Sequence, residues 1–392
     1  MKTVYVVSGA RTAVGTYGGS LKDIAPSALG AIVVTEAVAR SGVDPAAVGH
    51  VVFGQVIQSE PRDVYLSRIA GMEAGLPKEV PALTLNRLCG SGLQAVLTAA
   101  QTIMLGDADI AVAGGAESMS RIPYHSPSTR WGARFGDTAL IDALKGALTD
   151  PFHRILMGVT AENVAEQFGI DRDTQDAYAV ESHRRAAHAT AEGRFQGQIV
   201  PVPVRQKRRE VLFQTDEHIR PEVSVDDLRA LPTVFKDGGS VTAGNASGMN
   251  DGAASVVLAS EEAVKAHGLK PLARLVSWGY AGVDPAIMGI GPVPATRIAL
   301  DRAGLTIGDM AVIEANEAFA AQACAVAREL NFDPEKVNPN GSGISIGHPV
   351  GATGAINTVK CVYELQRTQE RLGLVTMCIG GGQGIAAIFE RA

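Results

Sequence analysis

The stretch from Asn86 to Gln94, NRLCGSGLQ, has the composition of a tight turn between a strand and a helix. The four residues before it, Ala82 to Leu85, are apolar enough for a short buried strand. After it, apolar side chains recur at helical spacing from Leu93 to Met104, and Gly106 predicts where that helix ends. Cys89 is therefore predicted to lie where a strand turns into a helix.

Cys89 is a candidate nucleophile because of this position. A thiol at a helix N-terminus feels the positive end of the peptide dipoles, so we expect its pKa to be lowered. Gly90 and Gly92 keep the space beside the sulfur open. A strand, a sharp turn and a helix together form the geometry of a nucleophile elbow. Composition alone favours the alternative, a small buried core cysteine.

Three later segments carry polar groups at similar positions. Asn338 to Gly354 reads NPNGSGISIGHPVGATG and places His348 just before a predicted helix. Leu374 to Gly384 reads LVTMCIGGGQG, an apolar strand that ends in a second thiol, Cys378, and a run of glycines. Glu314 to Phe319 reads EANEAF and closes another short apolar strand. Each segment is predicted to end a strand or begin a helix, where functional groups are often presented.

In their order along the chain, the four segments resemble the thiolase family, the enzymes that make or cleave 3-ketoacyl-CoA thioesters. The resemblance runs from Val4 to Phe389, and within the family the chain is most similar to bacterial broad-range β-ketothiolases that feed polyhydroxyalkanoate synthesis. It implies reversible Claisen condensation of acetyl-CoA with acetyl-CoA or a short acyl-CoA, and thiolysis of 3-ketoacyl-CoA, through an acyl-cysteine intermediate. Coenzyme A and acyl-CoA are then substrates and products, with no tightly bound cofactor and no metal.

The resemblance implies catalytic roles for five residues. Cys89 carries the acyl group, since a thiolate is a good nucleophile and its thioester remains reactive. His348 activates Cys89, because imidazole titrates near physiological pH. Cys378 exchanges the α-proton of the second acyl-CoA. Oxyanions are stabilised by the backbone N–H of Gly380 with that of Cys89, and by His348 with a water held by Asn316.

The resemblance also implies the contacts to coenzyme A. Arg220 and Ser247 are the expected polar contacts, and Thr242 to Gly248, TAGNASG, is a small-residue loop that a ligand can approach closely. The apolar tunnel is expected to be lined by Leu148, Met157, Phe235, Ala243, Met288, Ala318 and Phe319.

Leu156 departs from the family pattern. Many members carry His immediately before the Met of the MGVTAEN run, which begins here at Met157. Loss of that polar group predicts a more apolar pocket beside the bound thioester and leaves the acyl chain-length range open.

The strand and helix pattern predicts an α/β fold built from two similar halves. AVARSGVDPAAVGHVVFG in the first half and ALDRAGLTIGDMAVIEAN in the second share a rhythm of helix, glycine stop and apolar strand. In the first half a strand from 110 to 112 is predicted to run into Gly114 and Gly115, and its partner appears only after residue 250. Residues 1–117 with 251–270, and residues 271–392, are therefore predicted as the two core halves. By resemblance they pack as a five-layered core, and residues 118–250 form an inserted loop domain over coenzyme A.

Composition narrows the other expectations. The chain has 392 residues, 46% of them hydrophobic, and a formal net charge of −6, so no nucleic-acid partner is expected. Its four cysteines form no CxxC pair, which argues against zinc and disulfides. No apolar run predicts a membrane span, and the first residues read directly as a strand, so a cytoplasmic protein is expected. The resemblance implies a homo-oligomer, a dimer at least and by analogy a tetramer.

Two other functions remain open from the sequence. A decarboxylating condensing enzyme of the same superfamily would share the nucleophilic cysteine but would generate its carbanion by losing carbon dioxide; Cys378 argues for a thiolase instead. A catalytically silent acyl-CoA-binding protein would have no need of the four polar groups together.

Overall fold

The computed structural model describes residues 2–207 and 209–392. Met1 and Arg208, which fall in the predicted first half and the predicted insertion, lie outside the described residues. The strands are β1 (Val4–Thr12), β2 (Gly15–Thr16), β3 (His50–Gly54), β4 (Ala82–Leu85), β5 (Ile110–Ser118), β6 (Tyr124–His125), β7 (Ile141–Asp142), β8 (Ile199–Val200), β9 (Val202–Gln206), β10 (Arg209–Phe213), β11 (Asn250–Ser260), β12 (Ala273–Gly282), β13 (Val312–Ala315), β14 (Leu372–Ile379) and β15 (Gln383–Arg391). The α-helices are α1 (Pro26–Ser41), α2 (Leu66–Glu73), α3 (Ser91–Leu105), α4 (Ala143–Ala147), α5 (Met157–Phe168), α6 (Arg172–Ala191), α7 (Val225–Arg229), α8 (Glu261–Ala266), α9 (Pro292–Ala303), α10 (Ala320–Glu329) and α11 (Thr353–Thr368).

One large mixed sheet organises the chain. Its strand order is β13-β14-β15-β12-β1-β11-β5-β3-β4, with β2 added to β11 and β8 to β1. Strands β12 to β15 form one side of this order, and strands that precede β12 in the sequence form the other. The two sides join between β1 and β12, where Tyr5 pairs with Arg274 and Val6 with Ala273. Two short hairpins, β6 with β7 and β9 with β10, lie apart from the sheet.

Helices cover the sheet in layers, and the predicted five-layered α/β fold is confirmed. The helices α1 and α2 pack on the outer face of the first part of the sheet, in one apolar core. The helices α9 and α10 cover the outer face of the second part, in another. Between the two parts lie α3 and α11, which contact each other and strands of both. The segments that carry Cys89 and His348 lead into these two central helices.

The first turns of α3 and α11 touch through glycines. A Cβ on Gly354 would lie 2.2 Å from the backbone nitrogen of Leu93, and one on Gly92 would lie 2.6 Å from the backbone nitrogen of Ala355. No real side chain tolerates such distances, so the absence of a Cβ is what allows the backbones to approach. As a result the residues just before the two helices, Cys89 and His348, are held on neighbouring turns.

α3 is also the most apolar helix of the core. The 18 residues from Leu88 to Leu105 are long and apolar enough to cross a membrane, but more than half of them are buried inside the molecule. Since α3 contacts α11, β3 and β5, it has the character of a core helix in a soluble protein.

The predicted end of the strand before Gly114 and Gly115 was wrong. β5 continues through both glycines to Ser118 and stays paired with β11 over this length. The glycines allow close packing and do not end the strand. A Cβ on Gly115 would lie 2.1 Å from the carbonyl oxygen of Gly351. The extra strand length carries Glu117 under the turn that follows His348.

We predict that Gly354→Ala destabilises the protein. The added methyl group would collide with the backbone of Leu93, and overpacking of this kind costs about 3 kcal/mol when backbone must shift. Chemical denaturation monitored by circular dichroism measures the change in the free energy of unfolding.

Gly146→Ala is the matched control. A Cβ there meets no atom within 4 Å, so we expect its free energy of unfolding to stay within about 0.5 kcal/mol of wild type. If Gly354→Ala were as stable as this control, the two helices would not depend on the glycine contact.

Candidate active site

The turn that carries Cys89 is built by its own side chains. The N–H of Leu88 donates to Asn86 Oδ1 at 2.8 Å, and Ser91 Oγ accepts from the N–H of Arg87 at 2.8 Å and donates to the carbonyl of Leu88 at 2.7 Å. Leu88 itself has φ +47°, a left-handed conformation that is unfavourable for a branched residue. The predicted strand-to-helix elbow is thus present, and its strain falls on the residue just before the thiol.

The expectation that helix dipoles lower the pKa of Cys89 was wrong in direction. Burial raises the pKa of the Cys89 thiol above its ordinary value, and the nearby Glu117 charge adds to this effect. The backbone N–H of Gly380 acts in the opposite direction. Desolvation therefore outweighs the local dipole, so the resting residue is a neutral thiol that needs a base when it attacks.

His348 lies in a tightly specified turn. Its N–H donates to Asn250 Oδ1 at 2.9 Å. The Thr353 hydroxyl donates to the carbonyl of Pro349 at 2.9 Å, so its oxygen accepts from His348 Nδ1 at 2.6 Å. This arrangement places the ring proton on Nδ1 and leaves Nε2 as the basic nitrogen.

The environment of His348 keeps the ring neutral. Burial lowers the pKa of His348 to about 4. Because burial disfavours the imidazolium, the ring is unprotonated at any pH well above that value. Asn316 Nδ2 lies 3.4 Å from Nε2, which agrees with an unprotonated Nε2. The ring can therefore accept a proton at neutral pH.

Asn316 is held at the end of β13 by the segment that leads to His348. Its N–H donates to the carbonyl of Thr376 at 3.0 Å, which ties it to β14. Asn338 pairs with both backbone groups of Ala315, through Oδ1 at 2.9 Å and Nδ2 at 2.8 Å. Asn316 is buried, so its amide is fixed relative to His348 rather than being a freely exposed helix cap.

Cys378 lies near the end of β14, and Gly380 follows in the hairpin turn before β15. Cys378 is buried, and burial raises the pKa of its thiol well above the ordinary range, with the neighbouring Cys89 adding to the effect. Gly381 and Gly382 have φ +78° and +80°, which glycine adopts readily and other residues do not. This turn directs the N–H of Gly380 toward Cys89, so the structure brings the two thiols together.

Apolar contacts join the four segments. One cluster contains Cys89 with Val350, two residues past His348. Another contains Cys378 with Ala318, two residues past Asn316. These clusters join the segments in pairs, and the Asn316–His348 contact and the proximity of Cys89 to Cys378 link the two pairs, so the predicted catalytic residues of four separate segments meet in one region.

Most of the predicted coenzyme A residues lie in the same region. The cluster around Cys378 includes Met157, Phe235, Met288, Ala318 and Phe319, whereas Leu148 packs beside Cys89. The N–H of Ser247 donates to the carbonyl of Ala318 at 2.9 Å. Arg220 and Ala243 are exposed and belong to neither cluster.

Several supporting residues were not predicted from the sequence. Thr353, Asn250 and Asn338 fix the catalytic segments by hydrogen bonds, and the buried Glu117 contacts the turn after His348. Asn338 and Thr353 do lie in the quoted NPNGSGISIGHPVGATG segment, which was the available signal. Asn250 and Glu117 are distant in sequence, and only the fold brings them to the site.

All four cysteines are free thiols, and Cys361 is a core residue in the central apolar cluster. Across residues 2–207 and 209–392, His, Cys, Asp and Glu side chains form no group of three that could hold a metal ion.

Known proteins match this chain over nearly its whole length. The thiolase N-terminal domain model matches residues 4–262 and the thiolase C-terminal domain model matches residues 269–391. The chain is 64% identical over 391 residues to the β-ketothiolase BktB of Cupriavidus necator, covering 100% of this chain and 99% of the relative. It superimposes on the crystal structure of human mitochondrial 3-ketoacyl-CoA thiolase in complex with CoA with a TM-score of 0.97 at 45% identity, covering 100% and 98% of the two chains. The acetyl-CoA acetyltransferase of Bacillus anthracis gives a TM-score of 0.98 at 46% identity, covering 100% and 99%.

The chain belongs to the thiolase family. It is an acetyl-CoA C-acyltransferase that condenses acyl-CoA thioesters and cleaves 3-ketoacyl-CoA, using coenzyme A as a substrate and no tightly bound cofactor. The comparisons give no support to the decarboxylating alternative.

We predict that Thr353→Val slows the enzyme. Valine has the shape of threonine but cannot accept the hydrogen bond from the Nδ1–H of His348, so the ring loses its fixed tautomer and orientation. Loss of such an orienting partner typically costs on the order of 10- to 100-fold in activity. The measurement is kcat for acetoacetyl-CoA thiolysis, together with the thermal unfolding midpoint.

Thr353→Ser is the control for this prediction, since it keeps the hydroxyl and should retain most of the activity. Equal kcat values for the valine variant and wild type would show that Thr353 does not set the state of His348.

Proposed function

We propose that the reaction proceeds through an acyl group on Cys89, with the five residues predicted from the sequence in the roles given above. The observation that carries this proposal is the meeting of two thiols, one neutral imidazole and one fixed amide at the ends of four segments. Acyl transfer between thioesters needs a nucleophile, a base and stabilised oxyanions, and these groups supply all three.

The first step of thiolysis is nucleophilic attack. His348 Nε2 accepts the proton of the Cys89 thiol while the sulfur attacks the 3-keto carbonyl. The backbone N–H groups of Cys89 and Gly380 stabilise the oxyanion at that carbon, each donor contributing roughly 3 kcal/mol. The neutral imidazole suits this step, because burial holds the pKa of His348 at about 4.

Carbon–carbon cleavage then releases an enolate of acetyl-CoA. The neutral Cys378 thiol donates its proton to the α-carbon, and His348 with a water on Asn316 stabilises the enolate oxygen. The raised pKa of Cys378 suits a thiol that is protonated before this step. Coenzyme A then gives its thiol proton to the Cys378 thiolate, and its sulfur attacks the acyl group on Cys89. The Cys89 sulfur is the leaving group, and it takes back the proton held by His348. Condensation is the reverse of these steps.

Coenzyme A is proposed to bind above the apolar cluster. Met157, Phe235, Met288 and Phe319 would contact the pantetheine arm, together with the residues predicted beside them, Leu148, Ala243, Ser247 and Ala318. Arg220 is exposed, as a contact to the nucleotide phosphates requires. Residues 118–250 would act as the loop domain over the ligand, between the two core halves 1–117 with 251–270 and 271–392. Acetyl and short acyl groups are the proposed substrates.

A homo-oligomer in the cytoplasm is proposed for this chain. Its support is an exposed sheet edge, β4, with Leu83 exposed, and a projecting segment around β6 and β7. In that segment Trp131, Phe135 and Leu140 are all exposed. Exposed apolar side chains in this concentration are typical of protein interfaces. A dimer through the sheet edge and a tetramer through the projecting segment would cover both surfaces.

Trapping of the acyl-enzyme tests the proposed function. Incubation with acetyl-CoA should place a hydroxylamine-sensitive acetyl group on the peptide that contains Cys89, and initial rates of thiolysis should give parallel-line kinetics. Cys89→Ser serves as the control and should lose the label. A thioester label that persists elsewhere in Cys89→Ser, or intersecting rate lines without a trapped acyl group, would exclude this mechanism.

We predict that substitutions of the two thiols impair different steps. Cys378→Ser leaves the nucleophile in place, so this variant should still be acylated at Cys89. The serine hydroxyl has a far higher pKa than a thiol, so it is not ionised and cannot accept the α-proton readily. Deuterium exchange at the α-carbon of a non-transferable acyl-CoA analogue should become very slow in this variant. Cys89→Ser should show slow acylation as its main defect. Wild-type exchange rates in Cys378→Ser would show that another group is the carbon base.

A further inference from the structure

Glu117 is a buried acidic residue that none of the steps above uses. It lies on β5 with no exposed surface, and its carboxylate accepts three backbone hydrogen bonds. The donors are the N–H groups of Val56 at 2.9 Å, Ile57 at 3.2 Å and Gly351 at 3.0 Å. A buried carboxylate is costly unless it is hydrogen-bonded, and these three donors offset part of that cost.

One donor lies in the turn that carries His348, and the other two lie in the segment that holds the Cys89 turn. Gly351 is three residues past His348 and comes just before α11. Val56 lies in the segment after β3, and its carbonyl accepts from Asn86 Nδ2 of the Cys89 turn at 3.0 Å. Glu117 is therefore a shared bridge: one oxygen binds the His348 turn and the Val56 segment together, and that segment in turn holds the Cys89 turn.

The packing around Glu117 leaves little freedom for this bridge. A Cβ on Gly351 would lie 2.4 Å from Glu117 Oε2 and 3.1 Å from the Cα of Gln55. A Cβ on Gly115, two residues before Glu117 on the same strand, would meet the carbonyl oxygen of Gly351. β5 thus presses directly against the His348 turn, and the carboxylate fixes its position along the strand.

We propose that Glu117 is a positioning residue for thiolysis and condensation, whose carboxylate fixes the His348 turn relative to the Cys89 turn. This inference rests on the proposed roles of Cys89 and His348. Catalysis between groups on separate turns depends on their relative placement, and a shift of about 1 Å can cost on the order of 100-fold in rate.

The charge of Glu117 should affect the pKa of Cys89, which a role in packing alone would not do. Burial raises the pKa of Glu117 to about 8, the three N–H donors oppose that rise, and the Asp63 carboxylate adds to it. Cys89 has its pKa raised above the ordinary value of a thiol, so it titrates where Glu117 is already ionised. A fixed negative charge opposes ionisation of a nearby thiol, and removing the charge should therefore lower the pKa of Cys89.

The experiment compares Glu117→Gln with Glu117→Asp. Glutamine removes the charge and one acceptor oxygen, so kcat for acetoacetyl-CoA thiolysis should fall by about 10- to 100-fold. In the same variant the pH midpoint for iodoacetamide alkylation of Cys89, followed by mass spectrometry of its peptide, should move to lower pH. Aspartate keeps the charge but reaches less far, so its alkylation midpoint should match wild type while kcat falls in part.

Glu162→Gln is the matched control. Glu162 is also buried and accepts backbone N–H groups, from Ser240 at 2.9 Å and Val241 at 2.7 Å, but it does so on the segment that leads into the Thr242–Gly248 loop. This variant should leave the alkylation midpoint of Cys89 at its wild-type position. Gly351→Ala offers a second test from the other partner: its methyl group should displace the carboxylate and lower kcat without moving the midpoint.

The outcomes separate this inference from the proposed function. A fall in kcat with a lower Cys89 midpoint in Glu117→Gln, and no midpoint shift in Glu117→Asp or Glu162→Gln, supports it. Wild-type kcat in Glu117→Gln, an unmoved midpoint there, or an equal shift in Glu162→Gln overturns it. If the glutamine variant fails to fold, wild-type kcat in Gly351→Ala overturns it by itself. Absence of an acyl group on Cys89 in the wild-type enzyme would instead refute the proposed function.

Discussion

The glycine contact between α3 and α11 is the constraint on which the site depends. Gly92 and Gly354 let the first turns of the two helices approach until backbone meets backbone. Each helix begins just after a catalytic residue, so the distance between Cys89 and His348 follows from the distance between helices. The sheet parts on either side then supply the remaining groups, Asn316 from the end of β13 and Cys378 from the end of β14.

Burial sets the protonation state of the whole site. It raises the pKa values of both Cys89 and Cys378 and lowers that of His348 to about 4. All three groups are therefore neutral at rest, and charge develops only when a proton moves between them. A site of this kind gains from fixed N–H donors, because in a desolvated region a donor aimed at a developing oxyanion has few competitors.

Supporting residues hold the segments that carry His348 and Asn316 by hydrogen bonds. Thr353 orients the His348 ring, Asn250 holds its backbone, and Asn338 fixes the strand end before Asn316. Glu117 connects two of these turns by accepting from both. The supporting groups are buried and hydrogen-bonded, so their polar atoms are satisfied while they reduce the freedom of the reacting groups.

Local residue patterns predict many features of this protein from its sequence. The elbow at Cys89, the helix stop at Gly106 and the apolar strand that carries Cys378 follow from apolar spacing and turn residues, which act over a few positions. The α/β layering follows from the alternation of strands and helices, and the motif order indicated the family. The groups that the sequence alone singled out for chemistry were those lying inside such local motifs.

Tertiary structure decided what depends on distant segments. The continuation of β5 past Gly114 and Gly115 was not predicted, because Gly114 packs against the carbonyl oxygen of Ala254 and Gly115 against that of Gly351, and both partners are distant in sequence. The direction of the Cys89 pKa shift was not predicted either, since a local dipole can be read from sequence but burial cannot. Glu117 and Asn250 carry no local motif, and their positions at the site arise only when the strands that bear them pair beside the two central helices.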